Sequence, residues 1–148
     1  MYKHILLPTD GTKLAAKAVK QGITLAKSLG AKVTIFNVVH EYQMMMDEGF
    51  ILPNAVQLKK RFDDDAVKRS RKILDDFKAE ANAAGVDADG VTATEELPYE
   101  AIIRQAKKAK CDLIMMASHG RRGLSSILLG SETAKVLTHS TIPVLVVR

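Results

Sequence analysis

The chain has 148 residues, of which 47% are hydrophobic and 26% are charged, and its formal net charge at pH 7 is +5. This balance is typical of a folded soluble domain and argues against a disordered chain, and no apolar run approaches the ~18 residues that a membrane span requires. We therefore expect one globular domain over residues 1–148, with no membrane partner.

Cys111 is the single cysteine, so the chain has no internal disulfide. A lone cysteine fits a reducing compartment. The N-terminus has no long apolar segment followed by small residues, so no secretory leader is indicated. These features predict a cytoplasmic protein in which Cys111, placed just before a predicted strand, is structural rather than nucleophilic.

The positive charge does not by itself indicate a nucleic-acid partner. Most lysines and arginines alternate with carboxylates in predicted helices, as in residues 59–80, which is typical of a solvated helix face. Tryptophan is absent and no RNA-binding motif occurs, so bases would find few aromatic rings on which to stack. We expect no nucleic-acid function.

Apolar runs alternate with helical patterns along the chain. The patterns predict, in chain order, a strand at 5–8, a helix at 12–29, a strand at 33–39, a helix at 54–84, a strand at 91–95, a helix at 98–109, a strand at 112–117, a helix at 131–140 and a strand at 143–147. Strands of continuous apolar character separated by helices predict an α/β domain, with a parallel sheet covered by helices on both faces.

Two segments of this pattern carry expectations of their own. The long helix at 54–84 has an apolar stripe that we expect to face the sheet: Phe62, Ala66, Ile73, Phe77, Ala81 and Ala84. The irregular stretch at 40–53 contains Met44, Met45 and Met46, which are either an adaptable partner surface or a loop over the chain's own pocket or dimer mate.

The last predicted strand, which begins at Pro143 and ends at Val147, has the sequence PVLVV. An open sheet edge this apolar would be an aggregation hazard. The strand is therefore either inside the sheet or paired across a subunit boundary, and the second alternative predicts a homodimer.

Polar and small residues follow three of the predicted strands. In open parallel sheets, ligands bind beyond the carboxyl ends of the strands, where the strand order reverses. Loops with suitable residues leave such ends at 8–11, 37–40 and 117–120. These three loops form the predicted ligand site.

The region after the fourth strand is typical of phosphate binding. Gly120 and Gly123 would adopt positive φ and let the backbone approach a phosphate closely. Gly130 and Ser131 begin a helix whose N–H groups and dipole favour an anion. Two arginines, Arg121 and Arg122, would add charge-assisted hydrogen bonds.

Each of these residues also has a structural alternative. Gly130 and Ser131 fit an ordinary helix N-cap. Asp10 either caps a helix or accepts hydrogen bonds from ribose hydroxyls, and the two roles can coexist. His119 either donates to a phosphate or ties its own loop together.

Several other kinds of site are disfavoured. No Gly-Lys-[Ser/Thr] follows the glycines, so the loop is not a Walker A motif, and no GxGxxG follows the first strand. The histidines are scattered without metal-ligand spacing, so the sequence assigns no residues to a metal.

The sequence resembles the universal stress protein family over essentially its whole length. The resemblance rests on the opening ILLPTDG, on Asn37-Val38-Val39, on ASHG followed by nine residues and Gly130-Ser131, and on TIPVLVV near the end. The family pattern is Gly, two residues, Gly, nine residues, Gly, then Ser or Thr. Its spacing is kept here, but Ala117 replaces the first glycine.

This resemblance implies a Rossmann-like sheet of five parallel strands in the order 3-2-1-4-5 and a homodimer joined through the last strand. In one branch of the family it also implies bound ATP or AMP, with Mg²⁺ as a companion ion. The loops and the resemblance together predict these nucleotide-binding residues: Pro8, Thr9, Asp10, Val38, Ala117, Ser118, His119, Gly120, Arg121, Arg122, Gly130, Ser131 and Glu132.

Some of these residues carry specific roles by resemblance. Asp10 would hold the ribose, and the backbone of Val38 would meet the adenine. Gly120, Gly130 and Ser131 would surround the phosphates. Ala117 would lie beside the nucleotide, where the family prefers no side chain.

Three functions follow from these observations. The first is a stress-response protein that binds an adenine nucleotide and acts on an unidentified protein partner. The second is an enzyme such as a slow ATP hydrolase or a phosphoryl or adenylyl transferase, which is disfavoured because Asp10 is the only well-placed acid. The third is a dimeric interaction module with an unused pocket, which the alanine at 117 favours.

Overall fold

The computed structural model of the chain describes residues 1–39, 53–94, 97–120 and 129–148. Its elements in chain order are β1 (His4–Thr9), α1 (Lys13–Leu29), β2 (Lys32–Val39), α2 (Ala55–Ala83), β3 (Ala88–Thr94), α3 (Pro98–Lys108), β4 (Leu113–Ala117), α4 (Ser131–His139) and β5 (Val144–Val147). The strands form one parallel sheet in the order β3-β2-β1-β4-β5. The predicted α/β fold and strand order are confirmed.

The sheet separates two layers of core, because successive side chains of a strand point to opposite faces. On one face, Ile5 and Leu7 of β1 belong to a cluster that α1 and α2 cover. On the other face, Leu6 belongs to a cluster that α3 and α4 cover. Helices on both faces explain why the central strands are buried on both sides and mostly apolar.

β3 begins at Ala88, earlier than the predicted strand at 91–95. Its first three residues, Ala88-Asp89-Gly90, lack the branched side chains that usually indicate a strand. They pair with Val33, Thr34 and Ile35 of β2 all the same. A Cβ at Gly90 would lie 3.2 Å from the Cβ of Leu74, so this glycine lets α2 pack close to the strand.

Of the predicted apolar stripe of α2, Ala81 is buried, and Leu74, which the prediction omitted, is buried beside the stripe. Nearer the N-terminus of the helix, Phe62 is 50% exposed and Leu58 is 41% exposed. The expectation that Phe62 is buried was therefore wrong, because the periodicity of a helix does not reveal where it extends beyond the sheet.

β5 is the outermost strand on its side of the described sheet, and it pairs with β4 alone. Leu145, in its middle, is 43% exposed. Of the two alternatives for this strand, an interior position in the chain's own sheet is excluded.

Among the described helices, none is both long and apolar enough to cross a bilayer.

His4 ties three elements together at the amino edge of the sheet. Its side chain is 7% exposed, and its Nε2 lies 2.8 Å from Oγ1 of Thr34 on β2. It also bonds the backbone of Ala109, just after α3. Burial is the main cause that lowers the pKa of His4, and the nearby Lys32 lowers it further, whereas Asp112 and Asp89 oppose the shift.

The lowered pKa of His4 predicts a loss of stability on acidification. Below the unfolded-state value of about 6.5, the unfolded chain takes up a proton that folded His4 resists, so the free energy of unfolding falls as pH falls. We expect the stability advantage of the wild type over His4→Gln to be larger at pH 7.5 than at pH 5.5, as measured by urea unfolding. His139→Gln, at an exposed histidine, is the control. An advantage that is equal at both pH values would contradict this assignment.

Candidate functional site

The pairing of β1 with its two neighbours is unequal. β1 pairs with β2 along its whole length, from His4 to Thr9. Its pairing with β4 covers only Ile5 and Leu6. The two strands therefore part towards their carboxyl ends. Because the strand order reverses between β1 and β4, this is where a parallel sheet of this kind binds ligands.

Pro8 explains why the pairing stops. Carbonyl groups along β1 alternate between its neighbours: that of Lys3 accepts from the N–H of Lys32 at 3.0 Å, and that of His4 accepts from the N–H of Asp112 at 2.9 Å. By the same alternation, the backbone nitrogen of Pro8 faces β4. Proline has no N–H, so it cannot donate a hydrogen bond to that strand. The ladder to β4 cannot continue through it, and we call the unpaired region between the carboxyl ends of the two strands the crevice.

Asp10 organises the turn that leaves β1. Its Oδ1 accepts hydrogen bonds from the backbone N–H of Thr12 at 3.0 Å and from Thr12 Oγ1 at 2.7 Å. Thr12 is the N-cap of α1, and its own hydroxyl accepts from the N–H of Ala15. Asp10 therefore supports the cap rather than being the cap itself. Gly11 completes the turn with φ of 81°, which glycine adopts readily.

Asn37 joins the ends of β1 and β2. Its side-chain Nδ2 donates to the carbonyl of Thr9 at 2.7 Å, and the residue is 5% exposed. The sequence placed Asn37 in one of the three candidate loops without a role of its own, although a single amide within the apolar run VTIFNVV was a visible signal. Val38 follows it, half-buried, and pairs with Ala93 of β3.

The loop after β4 approaches the loop after β1 through Gly120. A Cβ at Gly120 would collide with Oδ2 of Asp10, so the missing side chain makes room for this carboxylate. Gly120 is not among the described glycines with positive φ, and that part of the prediction was wrong. Its required feature is small size rather than backbone freedom.

His119 ties its own loop together. Its Nδ1 lies 2.9 Å from Oγ of Ser118, a residue that is 1% exposed. Of the two interpretations of His119, the structure shows the loop-tying contact. A ligand would have only Nε2 of this ring to contact.

The N-terminus of α4 is held against the end of β4. The N–H of Gly130 donates to the carbonyl of Ser118 at 2.7 Å, and Thr133 Oγ1 donates to the carbonyl of Ala117 at 2.9 Å. The first N–H groups of a helix have no partner within it. Those of Ser131 and Glu132 therefore lie at the carboxyl end of the sheet, where they are suited to bind an anion.

The side chain of Glu132 has a structural role. Its Oε2 accepts from the N–H of Tyr99, in the first turn of α3, at 2.9 Å, and its Oε1 lies 3.0 Å from Nζ of Lys135. The Lys135 ammonium also lies 5.4 Å from the centre of the Tyr99 ring. These contacts join α4 to α3, so only the backbone of Glu132 remains for a ligand.

Ala117 is a core residue. It is 6% exposed and belongs to the cluster that contains Leu7 and Met115, on the face of the sheet that α1 covers. Its methyl group therefore packs within the protein. This contact gives a structural reason for alanine at a position where the related family prefers glycine.

Several predicted site residues lie outside the described residues: Arg121, Arg122, Gly123, His40, Met44, Met45 and Met46. Within the described ranges, no group of three or more His, Cys, Asp or Glu side chains could hold a metal ion. Cys111 lies just before β4, at the opposite edge of the sheet, where burial above all, and then Asp112, raises the pKa of its thiol to about 11. A thiol of this kind is a poor nucleophile at neutral pH.

Comparison with known proteins places these features in a family. The profile of the universal stress protein family matches residues 1–148. The universal stress protein YxiE of Bacillus subtilis is 34% identical over 152 residues, covering 100% of both chains. Among solved structures, MJ0577 of Methanocaldococcus jannaschii is 28% identical with a TM-score of 0.82, covering 99% of this chain and 96% of that one. A universal stress protein in complex with cAMP is 25% identical with a TM-score of 0.71, covering 99% and 97%.

The packing around Gly130 predicts a structural cost for any side chain there. A Cβ would lie 2.9 Å from both Cα and Cβ of His119 and 3.2 Å from the carbonyl oxygen of Ser118. We expect Gly130→Ala to lower the free energy of unfolding by about 1–3 kcal/mol without any ligand present, as overpacking does. Ser131→Ala, at the exposed neighbour, should change it by less than about 0.5 kcal/mol. Equal stability of the two variants in urea unfolding would contradict the close approach.

Proposed function

The chain belongs to the universal stress protein family, and on that basis we propose that it is an adenine-nucleotide-binding regulatory protein of the cellular stress response. The observation that carries the proposal is the crevice between the carboxyl ends of β1 and β4, with the Asp10 carboxylate on one side and the N-terminus of α4 on the other. A relative that is 25% identical and was solved with cAMP supports the ligand class.

The residues at the crevice fit such a ligand. We assign the phosphates to the N-terminus of α4, where backbone N–H groups and the hydroxyl of Ser131 can donate to an anion. We assign the ribose to Asp10, whose carboxylate accepts hydrogen bonds. The backbone of Val38, at the end of β2, is the proposed contact of the adenine. Asn37 positions this part of the site through its bond to the Thr9 carbonyl.

ATP and AMP are the ligands we propose, and Mg²⁺ would be held mainly by the phosphates. Since the described residues include no carboxylate cluster for a metal, the ion would accompany ATP rather than bind beforehand. Fast phosphoryl transfer requires groups that hold metal ions and orient the nucleophile. Binding without rapid turnover is therefore the function that this set of residues supports best.

Ala117 is compatible with this proposal. Because its methyl group packs in the core cluster on the α1 face, the alanine fills space within the protein. The alternative function, an interaction module with an unused nucleotide pocket, rested mainly on this alanine. Because the methyl group of Ala117 packs in the core, the alanine no longer favours that alternative.

We further propose that two copies associate through β5 and that the protein is cytoplasmic. The exposed apolar Leu145 and the outer position of β5 favour such pairing. A partner protein that responds to nucleotide occupancy would complete the regulatory function.

The nucleotide proposal predicts stabilisation by ligand. Protein freed of bound nucleotide by unfolding and refolding should show a free energy of unfolding about 2.7 kcal/mol higher at a nucleotide concentration 100 times Kd. The measurement is thermal unfolding with ATP, AMP and cAMP, each with and without Mg²⁺. The proposal would be contradicted if millimolar nucleotide did not raise the midpoint of thermal unfolding and the purified protein released no nucleotide when denatured.

Two substitutions test the assignment of the phosphates without the packing defect of a Gly130 variant. Ser131→Ala should weaken ATP binding about tenfold, because it removes a hydrogen bond to a charged group. Thr138→Ala, near the other end of α4, should leave the Kd unchanged. Ala117→Gly should keep the affinity within about threefold of wild type, because the methyl group is not at the ligand. A large gain in affinity from Ala117→Gly would show that the alanine obstructs the site.

The dimer proposal predicts a change of mass. Wild-type protein should elute in light-scattering chromatography at twice the chain mass of 16.2 kDa. Leu145→Lys would place a charge in the proposed interface and should give monomers, whereas Leu58→Lys, at an equally exposed leucine on α2, should not. Monomeric wild-type protein at micromolar concentration would exclude this pairing.

A further inference from the structure

The amino edge of the sheet, opposite the proposed nucleotide site, is rich in lysine. We call it the lysine edge. Its lysines are exposed and lie where helices and connections lead into β1, β2 and β4: Lys3, Lys27, Lys32, Lys107, Lys108 and Lys110. The aspartates on the same edge are Asp87, Asp89 and Asp112. Six lysines against three aspartates leave these residues with a net formal charge of +3.

The lysines of this edge form no ion pair with another described residue. Within the described ranges, the ion pairs are Lys20 with Glu80, Lys72 with Asp76 and Lys135 with Glu132, none of which involves the lysine edge.

Asp112 keeps its negative charge, and its carboxylate accepts from the backbone N–H groups of Lys3 and His4 at 2.8 and 3.0 Å. With all three aspartates counted, the six lysines still leave an excess of positive charge for a partner.

Two clefts lie on the lysine edge and adjoin at Lys32. The first has a volume of about 390 Å³ and is lined by Lys3, Lys27 and Lys32, with Asp87 on its wall. The second, on the α3 side of the sheet, has a volume of about 350 Å³.

Lys32, Lys108 and His4 line this second cleft, with Asp89 on its wall. Both volumes fall at the small end of the range of ligand sites. They suit side chains of a short segment rather than a bulky ligand.

We propose that the lysine edge binds an extended, acidic polypeptide segment, whose carboxylates reach the lysines of the two clefts. The edge lies away from the crevice between β1 and β4, so this proposal is independent of the nucleotide. Charge complementarity carries the choice of partner: each cleft combines lysines with one aspartate, and an aspartate can accept the N–H groups of a peptide.

A nucleic acid fits this edge less well. The cations are lysines without arginine, so they lack the planar fork that binds phosphate through two hydrogen bonds. Tyr2, the tyrosine nearest to Lys3 in the sequence, is partly buried against the core, which limits the ring surface on which a base could stack.

The test is fluorescence anisotropy with a labelled, end-capped hexapeptide of alternating Glu and Asp, titrated with the full chain at low salt. The peptide of alternating Gln and Asn is the uncharged control. A variant of the two clefts, which we call the groove variant, replaces Lys27, Lys32 and Lys108 with Gln. The matched variant replaces Lys60, Lys68 and Arg71, three exposed cations of α2, with Gln. Both variants lose three positive charges, and circular dichroism verifies that each is folded.

We expect the groove variant to bind the acidic peptide at least tenfold more weakly than wild type, and the matched variant to stay within about twofold. Affinity should fall with added salt, and the uncharged peptide should not bind. Equal losses in both variants would show that overall charge alone attracts the peptide and would overturn the proposal. Tighter, groove-dependent binding of a single-stranded oligonucleotide or of anionic vesicles would overturn it in favour of those partners.

Discussion

The position of β1 in the middle of the sheet imposes two opposing requirements. The strand must be buried on both faces, which its apolar residues satisfy, and it must bond to neighbours on both sides over part of its length. Yet a ligand can reach the sheet only where β1 separates from β4. Pro8 meets both requirements at once, since it is apolar enough for the core and has no N–H for β4. The crevice is thus a consequence of one residue in the strand that holds the sheet together.

Much of the fold could be predicted because it depends on local sequence. Alternating strands and helices, the turn at Gly11 and the end of α1 at Gly30 all leave local signals. β3 was harder, because Ala88 and Gly90 become strand residues only by pairing with β2 and packing against α2. The exposure of Phe62 likewise depends on how far α2 extends beyond the sheet.

The candidate site was predictable in composition but not in the reasons for it. Gly120 was predicted to approach a phosphate, and Gly130 was predicted either to do the same or to begin an ordinary helix N-cap. In the structure, Gly120 makes room for the Asp10 carboxylate, and Gly130 makes room for the backbone of His119. Such contacts join residues that are far apart in the chain, so no local pattern reveals them. Spacing alone therefore could not separate the requirements of folding from those of a ligand, which act here on the same glycines.

The backbone of Ser118 connects the proposed nucleotide site to the edge strand. Its carbonyl accepts from the N–H of Gly130, at the start of α4, and its own N–H donates to the carbonyl of Val147, the last residue of β5, both at 2.7 Å. A ligand that favoured one arrangement of α4 would therefore act on β5 in part through this residue. Such coupling requires a different affinity for two arrangements of the protein. If β5 pairs two subunits, Ser118 is the place where nucleotide occupancy and assembly would influence each other.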